Sequence, residues 1–83
     1  MSFIKVAGVC VNQTPLDWSG NLRRLKQAVK LAKEQEVAVL CLPELAISGY
    51  GCEDTFYSDH VCKRSLEMLH QLAQECENIA VCV

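Results

Sequence analysis

Glu44 is the residue best placed by type and context to do chemistry. It follows Pro43 at the end of the apolar run Val37 to Leu42, VAVLCL. Proline offers no N–H and ends a strand ladder, so the carboxylate beside it is aimed outward from a strand end. Flanked by apolar residues and roofed by a loop, such a carboxylate can be desolvated and serve as a general base. The same residues also fit a carboxylate in a solvated turn. Just beyond, Ser48-Gly49-Tyr50-Gly51 sets a tyrosine between two glycines. Glycine tolerates positive φ and lets backbone approach a ligand closely. Tyr50 can then turn its ring into a pocket with its hydroxyl free to hydrogen-bond. A tight turn with Tyr50 packed as a lid on the core fits equally well.

The other reactive residue types support less. There are six cysteines. Cys10, Cys41 and Cys82 lie in apolar strand-like runs, where a free thiol behaves as a small hydrophobe. Cys52 adjoins Glu53 and Asp54, and neighbouring anions disfavour a thiolate. Glu53 and Asp54 are better suited to helping start the next helix. The closest pair is Cys76 and Cys82, so the spacing of a zinc ribbon is lacking. His60 and His70 lie ten residues apart on one helix, about 280° around its axis, which makes no metal pair. No metal site is expected. No Gly-rich phosphate loop occurs, so the chain itself shows no nucleotide site. Reduced thiols are the expectation.

These residues need elements to hold them. Phe3 to Val11 is apolar and rich in β-branched residues, as in a buried strand. Asn12-Gln13-Thr14-Pro15 breaks it. A helix follows from Asp17 or Ser19, both good N-caps, to about Gln35, with Leu22, Leu25, Ala28, Val29 and Ala32 as its apolar stripe. The unbroken run Val37 to Leu42 suits a strand covered on both faces. A loop spans Pro43 to Asp54, and Phe56 and Tyr57 are expected to anchor the segment that follows it. A second helix is predicted from Asp59 to Cys76, capped by Ser58 or Asp59. Its predicted stripe is Leu66, Leu69, Leu72, Ala73 and Cys76, with Asn78 ending it. Ile79 to Val83 opens a third strand. Trp18 is expected to pack at the first helix's N-terminus.

Strands alternating with helices predict an α/β fold, βαβαβ with parallel strands joined by right-handed crossovers. With 83 residues there is room for one small domain. A composition of 51% hydrophobic and 22% charged residues is globular. The net charge of −2 argues against a nucleic-acid partner. Arg23, Arg24, Lys26, Lys30 and Lys33 fall on the first helix and read as a solvated face. No apolar run approaches the ~20 residues of a membrane helix, and no signal peptide is evident. No membrane association and a cytoplasmic location are expected. The sequence stops inside a core strand, so residues 1–83 are expected to be the amino-terminal part of a larger domain. They lack the strands that would cover Val37 to Leu42 and are expected to be unstable alone.

Leu42-Pro43-Glu44-Leu45 with Ser48-Gly49-Tyr50-Gly51-Cys52-Glu53-Asp54 resembles the first signature of the nitrilase superfamily, the carbon–nitrogen hydrolases. The string LPELAISGYGCED and the opening VAGVCVNQTPLDWSGN are similar to its glutamine-hydrolysing branch in NAD+ synthesis. The resemblance implies a partial α-β-β-α sandwich, ending mid-core, and a Cys-Glu-Lys triad. Glutamine's amide would be attacked by the Cys, giving a thioester and ammonia. The ammonia would pass to a second domain that uses ATP and Mg to amidate deamido-NAD+. Glu44 matches the general base by position, and Tyr50 matches a loop residue near the glutamine pocket. The implied full-length protein is a homo-oligomer. The family's Lys and nucleophilic Cys are expected beyond Val83. Neither Lys63 nor Arg64 matches the Lys motif, and Cys52-Glu53-Asp54 only imitates the nucleophile motif. The chain alone should not hydrolyse glutamine. Two other readings stay open: another nitrilase-type amidase or carbamoylase, or a non-catalytic chain that binds a partner by strand addition.

Overall fold

The computed structural model describes residues 3–51 and 58–83. The expectations placed on Cys52, Glu53, Asp54, Phe56 and Tyr57 lie outside the described residues. The elements run β1 (Val6–Gly8), α1 (Trp18–Glu34), β2 (Val39–Cys41), α2 (Asp59–Ala73) and β3 (Ala80–Cys82). The sheet is parallel in the order β1-β2-β3, with Val6 opposite Val39 and Val39 opposite Ala80. The predicted βαβαβ architecture is therefore the one adopted. Each strand is only three residues long, shorter than its apolar run. The runs continue as single rungs rather than a full ladder: Ala38 N–H bonds Lys5 O at 2.7 Å, and Leu42 N–H bonds Cys82 O at 2.9 Å.

Helix α1 begins where the sequence says it should. Asp17 is the N-cap and accepts from Gly20 N–H at 3.3 Å. A Cβ at Gly20 would lie 2.1 Å from Asp17 Oδ2, so glycine is what lets the cap carboxylate fold in. The helix ends in a Schellman motif: Val37 N–H reaches Ala32 O at 3.0 Å and Glu36 N–H reaches Lys33 O at 3.1 Å. Glu36 takes the left-handed position, with φ of 61°. The predicted stripe is inward, with Leu22, Leu25, Val29 and Ala32 buried, although Ala28 is only half-buried.

Helix α2 differs from its prediction. Ser58 caps it, accepting from His60 N–H at 3.2 Å. Val61, Met68 and Leu72 are its buried residues, whereas Leu66 is 66% exposed and Leu69 38%. The helix carries two apolar registers, and the inward one includes Met68 and the short Val61 rather than the leucine-rich one. It also ends at Ala73, three residues early. Glu75 and Cys76 N–H groups bond back three residues, to Leu72 and Ala73 carbonyls, at 3.0 Å each, which tightens the chain out of the helix. Asn78 turns the chain into β3 with φ of 61° and does not cap the helix.

Each crossover steps one strand in the same direction, so right-handed connections put both helices on one face of the sheet. There α1 and α2 pack together. Leu40 and Ile79 join Leu22, Leu25, Val29, Ala32, Met68 and Leu72 in one core. The other face is uncovered by any of the described residues' helices. Among the described residues Val37 to Leu42 is covered on one face only, in keeping with a chain that lacks the strands to cover the other: Leu40 is buried, Val39 half-buried and Cys41 exposed. Cys10, Cys41 and Cys82, expected as buried small hydrophobes, are all exposed, and every cysteine among the described residues is a free thiol. Trp18 packs against the core at the start of α1 as expected, with the Arg64 guanidinium 5.9 Å from its ring centroid. Among the described residues, no helix is long and apolar enough to cross a membrane.

Candidate active site

Parallel sheets bind ligands beyond the carboxyl ends of their strands. At that end of β2 and β3 lies an open cleft of about 670 Å³, lined by Cys41, Leu42, Pro43, Glu44, Leu45, Tyr50, Cys82 and Val83. A slightly larger groove of about 740 Å³ runs along α1 between basic side chains such as Arg23 and Lys30. It holds no candidate general base beside a strand end, whereas the cleft holds Glu44.

The structure brings the two sequence-predicted residues together there. Tyr50 Oη donates a short hydrogen bond to Glu44 Oε2. That bond favours the neutral phenol and, with lesser help from desolvation and the negative charge of Glu44, pushes the Tyr50 pKa above its ordinary value. Tyr50 is 59% exposed, so its ring is no lid on the core. Glu44 is exposed as well, and this chain alone does not desolvate it. Between them, Leu45 holds φ of 50°, a left-handed conformation that costs a branched residue roughly 1–2 kcal/mol. That turn directs the chain after Glu44 back toward α1, where Gly49 N–H closes on Leu45 O at 2.7 Å.

Two thiols also line the cleft. Cys41 and Cys82 face each other across the β2–β3 register. Their hydrogen bond, then the charge of Cys82, raise the Cys41 pKa, which is the wrong direction for a nucleophile. Burial raises the pKa of Cys76, whose thiol donates to Leu72 O at 3.4 Å.

Sequence reasoning missed the polar residues beneath the site. Asn21 is fully buried at 0% exposure. Its Nδ2 donates to Thr14 O at 2.8 Å and Ile47 O at 3.0 Å. Its Oδ1 accepts from Thr14 N–H at 2.9 Å and Arg24 Nη2 at 2.6 Å. Gln13 Nε2 donates to Ala46 O and Asn21 O, and Gln13 Oε1 accepts from Arg24 Nε at 2.7 Å. Arg24, expected on a solvated face, is instead half-buried in this network and lies 3.6 Å from Asp17. One signal was available: Asn21 stands at position i−4 from Leu25, inside the apolar stripe, where a polar residue needs a buried partner.

Among the described residues no group of three or more His, Cys, Asp or Glu is placed to hold a metal ion.

The carbon-nitrogen hydrolase profile matches residues 5–83, and the chain belongs to that family. The chain is 41% identical over 78 residues to the glutamine-dependent NAD(+) synthetase of Saccharomyces cerevisiae, covering 93% of this chain and 11% of the yeast protein. It is 35% identical over 71 residues to the human protein of the same name, covering 86% and 10%. The crystal structure of a glutamine-dependent NAD(+) synthetase from Cytophaga hutchinsonii superposes with a TM-score of 0.94 at 45% identity. That match covers 96% of this chain and 14% of the bacterial one. The three strands and two helices are thus part of a nitrilase-type fold. The chain spans about a tenth of the length of the curated relatives it matches.

Proposed function

We propose that residues 1–83 form the amino-terminal part of the glutaminase domain of a glutamine-dependent NAD+ synthetase, with Glu44 as general base. The observation that carries it is the Glu44–Tyr50 pair at the carboxyl end of β2, in a cleft open to substrate. Glu44 takes the proton of a cysteine thiol supplied by the rest of the domain. The thiolate attacks the glutamine amide carbon, Glu44 returns that proton to the amide nitrogen, and the C–N bond breaks to leave a thioester and ammonia. Glu44, again a carboxylate, takes a proton from the water that cleaves the thioester to glutamate and gives it to the departing thiolate. The Tyr50 hydroxyl holds the carboxylate oriented and borders the glutamine pocket. A second domain uses ATP and Mg to amidate deamido-NAD+ with that ammonia. The whole enzyme is cytoplasmic and a homo-oligomer. The triad's Lys and nucleophilic Cys are supplied by the rest of the domain, so the chain alone leaves glutamine intact, since triad members act as a unit.

The test is a graft. This chain replaces the matching segment of the Cytophaga hutchinsonii enzyme, and NAD+ formation is followed with glutamine and, separately, with ammonia. Retention of glutamine-driven turnover supports the reading. Retention of the ammonia reaction with loss of the glutamine reaction contradicts it.

A further inference from the structure

We infer that Asn21 is a positioning residue for the Glu44–Tyr50 pair, acting through the buried network it shares with Gln13. The inference rests on Glu44 being the base.

Glu44 and Tyr50 are both exposed, so side-chain packing does not fix where they stand. Their placement comes from the backbone between them. Three consecutive carbonyls of that segment are each held by a donor from the β1–α1 side. Ala46 O accepts from Gln13 Nε2 at 2.5 Å, Ile47 O from Asn21 Nδ2 at 3.0 Å, and Ser48 O from Leu16 N–H at 2.8 Å. Gly49 then presses against the same loop: a Cβ there would lie 2.8 Å from Thr14 O. The next residue is Tyr50, which returns to Glu44. Pro43 fixes the other end at the strand terminus.

Asn21 is the centre of this clamp. Its amide uses two donors and two acceptor positions, the full capacity of the group. Being fully buried, it has no water to substitute for a lost partner. A buried donor that loses its acceptor, or a carbonyl that loses its donor, leaves the loop free to move. Displacing a catalytic group by about 1 Å can cost about a hundredfold in rate.

The experiment uses the assembled enzyme carrying this chain. Asn21→Asp keeps the size and the acceptor oxygen but removes both donors, including the one on Ile47 O. Gln13→Glu, at a half-buried position, removes the donors to Ala46 O and Asn21 O and guards against an Asn21 variant that misfolds. Both are expected to lower kcat for glutamine about 10- to 100-fold with KM changed less than about threefold, and to leave ammonia-driven turnover unchanged. Unchanged kcat in both variants overturns the inference. So does a loss shared equally by the glutamine and ammonia reactions, which is general misfolding. Glu44→Gln separates the two claims: if it leaves glutamine turnover intact, the base assignment itself is wrong. If it abolishes turnover while Asn21→Asp does not, only the positioning role fails.

Discussion

At the scale of single residues, backbone chemistry in the sequence marked Glu44 and Tyr50 as candidates, and the structure joins the two by a hydrogen bond that the sequence did not show. A proline at a strand end and glycines around a tyrosine are punctuation that survives without a structure. Their hydrogen bond has a pH consequence. The Tyr50 pKa is raised in the folded chain by its bond to Glu44. The contact is therefore fully present below the ordinary phenol pKa of about 10 and is lost as pH rises through the raised folded value. The chain has two tyrosines, so absorbance titration should show one phenol ionising late, and Tyr50→Phe should remove that late step. A late phenol persisting in the variant would mean the bond is not made. Gln13 and Arg24 were illegible for the opposite reason, and Asn21 showed only as a polar residue inside the apolar stripe of α1. Their types are those of solvated helix and turn residues, and only the fold shows that the three side chains meet beneath one loop.

At the scale of elements, α1 and α2 show when periodicity is enough. In α1 the apolar residues share one register, and the helix packs as its sequence indicates. In α2 the leucines Leu66 and Leu69 compete with a second register through Val61, Met68 and Leu72. Composition favours the leucines, but the direction from which α2 crosses the sheet selects the other face. A substitution pair tests this. Met68 is 5% exposed, and truncating such a methionine costs about 2–5 kcal/mol. Leu66 is 66% exposed, and a surface truncation is worth within about 0.5 kcal/mol. Met68→Ala should collapse the helical signal at 222 nm of this small chain, while Leu66→Ala should leave it. The reverse ranking would restore the leucine stripe. The same logic explains the strands: an unbroken apolar run signals two covered faces, but it does not say whether one chain segment supplies both covers.

At the scale of the molecule, the open sheet face dominates. The chain exposes 5784 Å², against roughly 4,900 Å² expected of a compact monomer of its mass. Phe3, Ile4 and Val6 are among the apolar residues left in solvent. The isolated chain should therefore melt broadly and bind an apolar dye such as ANS. A sharp cooperative melt without dye binding would show that one helical layer stabilises the sheet unaided. In a complete domain that face needs a cover, and the cleft at its edge gains the walls that Glu44 lacks here. The most direct test of the central claim is therefore made there. Glutamine- and ammonia-driven NAD+ formation are compared in the grafted enzyme before and after Glu44→Gln. The account predicts a fall of about a hundred- to ten-thousand-fold with glutamine and no change with ammonia. Glutamine turnover that survives the substitution would contradict it.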